Sequence, residues 1–142
     1  MLSQTSLYAI RAMGYLASES GIDKKPVLGK IIAKEMQIPA NFLSKILNRL
    51  VHAGLIRSIR GRNGGFVIDR PTSEIYVREI IDLFMHLDCH EDCFLNINKC
   101  DGTCGFHFRW RIITDQMGKI LDGVTIDKTL KNNFIKLDKQ MR

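Results

Sequence analysis

A chain of 142 residues with 45% hydrophobic and 25% charged residues suits one compact domain and is too apolar for a disordered one. No apolar run approaches the ~20 residues of a membrane span, and MLSQTSLYAIRAMGYLASES lacks the basic-then-apolar order of a signal peptide, so a cytoplasmic protein with no membrane partner is expected. The net charge of +6 is uneven: residues 24–70 hold ten Lys and Arg against two acids, a balance of +8 that leaves 6 − 8 = −2 elsewhere, so one region is suited to a polyanion.

Residues 5–19 read as a helix, with Ala9, Met13, Leu16 and Ala17 at helical spacing. GIDKKP breaks it, and a short helix over about 27–36 follows, with Ile31, Ile32 and Met36 apolar. The strongest periodicity comes next. Leu43, Ile46, Leu47, Leu50 and Val51 keep the i, i+3, i+4, i+7, i+8 pattern without a slip. Pro39 suits the first turn of this helix and Gly54 the left-handed position after its last. Only QIPA separates the two helices, which makes them a helix-turn-helix.

LIRSIRGRNGGFVIDRP then runs extended, turn, extended, with Asn63-Gly64 as the hairpin signal and Pro71 ending the second strand. A hairpin directly after a helix-turn-helix is a wing, here carrying Arg60 and Arg62 at its tip beside glycines that permit close approach. Residues 73–85 are predicted helical through Val77, Ile80, Ile81 and Phe84. Farther on, Trp110, Ile113, Met117, Ile120 and Leu121 form a long apolar stripe, read as core or dimer interface. GVTIDKTL is a break followed by a possible last helix. The fold class is therefore mostly α with a small β-hairpin.

The second helix of a helix-turn-helix fits the major groove, where base edges carry a readable pattern of donors and acceptors. Asn41 and Ser44 lie off the apolar stripe near the start of that helix and can hydrogen-bond base edges, with Asn48 one turn on. Lys45 and Arg49 can meet phosphates, Lys30 and Lys34 are backbone contacts of the same kind, and Arg60 suits a narrow minor groove, with Arg62 a further DNA-binding candidate beside it at the wing tip. A solvated helix face is the bland account of any one of these residues. The combination of tight helix pair, arginine-tipped hairpin and confined +8 block points instead to double-stranded DNA.

All four cysteines, and two of the four histidines, fall within residues 89–107. In a chain expected to be cytoplasmic, such thiols serve as ligands or redox groups more often than as structural disulfides. A metal or cluster site, a reversible disulfide and a silent loop all remain open from the residues alone. The chain shows no nucleophile elbow, phosphate-binding glycine loop or paired-carboxylate motif, so neither an enzyme nor a small-molecule substrate is expected.

LYAIRAMGYLA, IPANFLSKILNRLVHAGLIRSIRGRNGGFVIDRP, CDGTCGFHFRWR and LDGVTIDKTL, spread across nearly the whole chain, resemble the iron–sulfur-cluster and nitric-oxide-sensing winged-helix repressors typified by IscR and NsrR. The wing GLIRSIRGRNGGF is the most diagnostic stretch. The resemblance implies a homodimer held by the long helix, two winged helices on a palindromic operator, and Asn41, Ser44 and Arg60 at positions that touch DNA. It divides the chain into a winged helix-turn-helix over 1–85, a cysteine-rich sensor loop over 86–107, and a dimerisation helix with C-terminal tail over 108–142.

It also implies a cluster bound through Cys93, Cys100 and Cys104, with His107 completing the site in the manner of one branch of the family. Cys93-x6-Cys100-x3-Cys104-x2-His107 is a donor set suited to iron–sulfur chemistry, expected as [2Fe-2S], with [4Fe-4S], zinc or no cofactor as alternatives. Two features depart from the pattern. Cys100 and Cys104 lie closer together than in many relatives, and Cys89 is an additional thiol that is an alternative fourth ligand. The expected function is a homodimeric regulator whose operator affinity responds to redox, iron or nitric oxide. The alternatives are a thiol- or zinc-based sensor without a cluster and, in another class, a small iron–sulfur redox protein.

Overall fold

The computed structural model describes residues 2–20, 25–85 and 101–130. Among the described residues there are six α-helices and one hairpin, and four of the other five helices pack against the first, α1 (Gln4–Ser20). Ser3 opens α1 as its cap: the Ser6 amide donates to Ser3 Oγ at 3.1 Å. The buried face of α1 mixes small and large residues, Ala9, Ala12, Met13 and Leu16, all 0% exposed. The alanines let neighbouring elements approach closely while the longer side chains fill the space between them. Burial, then the carboxylates of Glu19 and Glu35, push the Tyr15 hydroxyl above its ordinary pKa.

Helix α2 (Gly29–Met36) and helix α3 (Ala40–His52) form the expected tight pair. The turn between them is made by Gln37 in the left-handed region (φ 53°), whose amide caps the end of α2, and the Arg11 guanidinium donates to the Met36 carbonyl at the same point. Pro39 sits at the cap of α3, one residue before the first turn. Leu43, Ile46, Leu47 and Leu50 are all buried, so the periodicity marks the core face correctly. Gly54 closes the helix at φ 71°, with the Leu55 amide donating back to the Leu50 carbonyl at 3.1 Å.

Strands β1 (Ile56–Ile59) and β2 (Gly65–Ile68) pair antiparallel, from Ile56 opposite Ile68 to Ile59 opposite Gly65. The hairpin is as expected, but its loop is longer than a two-residue Asn-Gly turn. The Gly64 amide donates to the Gly61 carbonyl at 3.0 Å, so Arg62 and Asn63 occupy the middle of the turn. Gly64 is required for a different reason: a Cβ there would lie 2.3 Å from the Ile59 carbonyl oxygen. Val27 adds a third extended segment, exchanging two hydrogen bonds of 2.9 Å with Phe66.

The helix expected over 73–85 is shorter than the periodicity suggests. A 3-10 turn spans Thr72–Glu74, Ile75 and Tyr76 are extended, and α4 runs only over Val77–Asp82. Pairing with a distant segment wins over local helix spacing. The Val77 amide donates to the Val124 carbonyl and the Ile126 amide to the Ile75 carbonyl, both at 2.9 Å, flanking a bridge between Tyr76 and Thr125. This bridge holds α6 (Ile126–Leu130) against α1, with Ile126 0% exposed in the core. Helix α5 (His107–Gly123) lies before it, along α4.

Candidate nucleic-acid interface and cysteine turn

The core side of α3 fixes what its other side presents. With Leu43, Ile46, Leu47 and Leu50 turned inward, Asn41, Ser44, Lys45, Asn48 and Arg49 are all exposed. Lys30 and Lys34 of α2 are exposed beside them. A recess of about 270 Å³ lies between the helices and the base of the wing, with Lys30, Ser44 and Asn48 among its lining and Ala33, Ala40 and Phe66 supplying apolar wall. The His52 ring donates from Nδ1 to the Asn48 carbonyl at 2.7 Å, closing the last turn of α3.

Arg60 and Arg62 stand exposed at the wing tip, and the pairing of Val27 with Phe66 anchors the hairpin to the start of α2. Sequence reading did not find Val27, because a single bridged residue carries no periodic signal. Electrostatics separates this surface from the rest of the molecule. Arg57 pairs with Asp69 at 3.3 Å, Arg70 with Glu79 at 2.7 Å and Arg78 with Asp82 at 3.0 Å. Among the described residues, no carboxylate forms an ion pair with Lys30, Lys34, Lys45, Arg60 or Arg62. Cations left unneutralised on one protruding face concentrate positive potential there.

Arg49 differs from its neighbours. Its guanidinium carbon lies 5.5 Å from the centre of the Phe84 ring, on the flank of α3 that turns toward α4. Phe42, on the same flank and 48% exposed, meets Tyr8 edge-on with ring centres 6.4 Å apart.

Of the sequence-predicted ligands, Cys89, Cys93 and Cys100 lie outside the described residues, and Cys104 and His107 lie within them. The described part is a tight turn into α5. Asp101 accepts from the Thr103 amide at 3.0 Å and from its hydroxyl at 2.7 Å. These bonds, with a smaller contribution from nearby His107, hold the Asp101 carboxyl below the usual carboxylate range. Gly102 adopts φ 78°, and a Cβ there would approach His107 Nε2 to 3.4 Å, so the imidazole lies against the turn. The His107 amide donates to the Cys104 carbonyl at 3.1 Å, which places His107 on one turn with Cys104, a half-buried free thiol. Among the described residues no three His, Cys, Asp or Glu side chains gather as a metal site. A thiol and an imidazole on one glycine-flanked turn are the right donor types for an iron–sulfur group, and they fit as part of a set that three further thiols can complete.

Helix α5 turns Thr114 and Gly118 inward, with Met117 and Leu121 partly buried against the core. The Thr114 hydroxyl is satisfied by the Trp110 and Arg111 carbonyls at 3.2 and 3.0 Å. The expected single stripe is thus split: Ile113 and Ile120 lie outside the core face, 58% and 63% exposed. Phe106, Phe108 and Ile112 are exposed as well, so this segment carries five of the ten exposed large hydrophobics among the described residues. A concentration of this kind differs from apolar residues scattered singly over a surface. No helix among the described residues is long and apolar enough to cross a membrane.

Comparison with known proteins agrees with this geometry. Residues 2–132 match the model of the Rrf2 family, described as an iron-dependent transcriptional regulator. Protein aau3 of Rhizobium meliloti (strain 1021) is 32% identical over 136 residues, covering 92% of this chain and 84% of its own. The structure of T. potens IscR superposes with a TM-score of 0.74 at 26% identity, covering 93% of this chain and 87% of that one. The oxidized form of Staphylococcus aureus CymR gives a TM-score of 0.73 at 25% identity, covering 92% of this chain and 96% of that one.

Proposed function

The chain belongs to the Rrf2 family of transcriptional regulators, and from that premise we propose that it binds a palindromic operator as a homodimer whose affinity is tuned through the cysteine segment. It is a regulator rather than an enzyme, as its relatives are. The observation that carries the DNA reading is the face made by α3 and the wing, where exposed Asn41 and Ser44 stand among cations with no acidic partner in the described residues. Asn41 and Ser44 read base edges in this proposal. Lys45 and Arg62 hold phosphates, and Arg60 enters the minor groove. A cytoplasmic location follows from this role.

Replacing Arg60 by Ala is expected to weaken binding to a selected operator about tenfold and to lower the salt dependence by about one phosphate contact. Cofactor content and melting temperature should stay as in the wild type, because Arg60 is exposed and away from the core. Titration at several salt concentrations measures the change. An unaltered affinity rules out the wing as a DNA contact.

The cofactor proposed is an iron–sulfur cluster, [2Fe-2S] in the first instance, held by Cys93, Cys100, Cys104 and His107, with Cys89 as the alternative fourth ligand. The donor types on the described turn support it, as does the likeness to T. potens IscR. When bound, such a group supplies reactivity toward oxidants and nitric oxide. The chain's own part is to present the thiol of Cys104 and the imidazole of His107 at the start of α5, the helix that carries the exposed apolar surface. Protein purified without oxygen should be coloured and contain iron and sulfide; a colourless protein with one zinc per chain sinks the cluster. The second reading, a thiol sensor without a cluster, is favoured by the likeness to CymR, which has been solved in an oxidized form. A reversible disulfide in the air-exposed protein, with no iron, would decide for it.

A further inference from the structure

Arg49 lies one turn beyond Lys45 on α3, close enough along the helix to serve the same row of phosphates. Its guanidinium is instead committed to the face of Phe84, 5.5 Å from the ring centre. Among the described residues it has no carboxylate partner that would hold it there. A guanidinium stacked on an aromatic face is attracted to the ring quadrupole and gives up little hydration. The contact draws the guanidinium toward the turn after α4.

Phe84 occupies a particular place in the chain. It belongs to the turn that ends α4, where the Phe84 and Met85 amides both donate to the Ile81 carbonyl, at 2.9 and 3.0 Å. The next residue, Met85, accepts a hydrogen bond from the Ser3 amide on its sulfur, at 3.2 Å, which ties this turn to the cap of α1. Residues 86–100, with Cys89, Cys93 and Cys100, follow immediately. The ring that holds a recognition-helix cation is therefore the last aromatic side chain before the cysteine segment.

We propose that Phe84 is a positioning residue for Arg49. It keeps this cation off the DNA backbone, and displacing Phe84 releases Arg49 to a phosphate. Any rearrangement of the cysteine segment that moves Phe84 then changes the number of cations α3 offers to DNA. The coupling needs no rotation of one winged helix against another. It rests on the DNA-binding reading above and is independent of whether the segment holds a cluster, zinc or a disulfide.

The test uses the full-length protein and a duplex that the wild type selects from a random-sequence pool. Affinity is measured against salt concentration for the wild type, Arg49→Gln, Phe84→Leu and the double variant, with thermal melts to check folding. Arg49→Gln alone should leave the salt slope unchanged. Phe84→Leu, which keeps apolar volume but removes the ring face, should bind about three- to tenfold tighter at low salt, with a slope steeper by about one. The double variant should return to the wild-type slope. Phe84→Met serves if Phe84→Leu melts early. A slope lowered by Arg49→Gln in the otherwise wild-type protein makes Arg49 a constitutive phosphate contact and overturns the proposal, as does a Phe84→Leu slope equal to the wild type. Failure of the wild type to select any duplex removes the DNA reading and this proposal together, whereas a null cycle on a selected duplex removes this proposal alone.

Discussion

Introducing Ile113→Lys and Ile120→Lys together should leave the subunit folded, convert it to a monomer and weaken operator binding by at least about 100-fold. The two side chains are 58% and 63% exposed, seven residues apart on one face of α5 and turned away from Thr114 and Gly118. Exposed positions of this kind accept charge at a cost within about 0.5 kcal/mol. In the proposed dimer the same positions are covered. A two-fold interface meets each substitution twice, so four ammonium groups would need burial without partners. The affinity loss follows from the loss of linkage, since a single winged helix on one half-site forgoes the effective concentration that its partner supplies. Sedimentation equilibrium and operator titration check both halves. A dimer of unchanged affinity would show that the exposed apolar face of α5 has another purpose.

The winged helix was legible because its signals are local. The pattern over Leu43–Val51 marks the buried face of α3, and Gly54 closes that helix in the left-handed region as the spacing implied. RGRNGG located the hairpin, although the turn centres on Arg62 and Asn63 and the glycine constraint falls on contact with Ile59. Long-range pairing was not legible. Val77, Ile80, Ile81 and Phe84 repeat at helical spacing, yet Ile75 and Tyr76 are drawn into extended pairing with 124–126, and no local pattern announces that partner. The α5 stripe misled in another way. Trp110, Met117 and Leu121 are partly buried, while Ile113 and Ile120 lie about 100° around the helix from the core direction, since 3.6 residues per turn spreads a loose stripe over two faces. The exposure of Asn41, Ser44, Lys45, Arg49, Arg60 and Arg62 was legible from type and position. Arg49 has a partner that sequence reasoning did not offer, because a cation–π contact between elements leaves no trace in spacing.

Gly65→Val tests whether the wing depends on its attachment to Val27. Gly65 has φ 150°, a conformation that L side chains rarely adopt, and its missing Cβ would lie 2.5 Å from the Val27 carbonyl oxygen and 2.6 Å from its carbon. Those atoms are backbone, so no rotamer change relieves the contact. Either the hairpin moves or the two 2.9 Å bonds between Val27 and Phe66 are given up. Strain of about 1–3 kcal/mol, with about 1 kcal/mol for each lost hydrogen bond, gives an expected destabilisation of about 3 kcal/mol or more. At roughly 3–4 °C per kcal/mol for a chain of this size, the melting temperature should fall by about 10 °C. Operator affinity should fall at least as far as for Arg60→Ala, although every charged residue is kept, because Arg60 and Arg62 are carried on a displaced loop. Gly123→Ala is the control: a Cβ there meets nothing within 4 Å and the residue is not left-handed, so stability and binding should be unchanged or slightly improved. A Gly65→Val protein with wild-type melting and affinity would mean that the wing holds its position through β1 alone, and that the pairing of Val27 with Phe66 contributes nothing to how the arginines are presented.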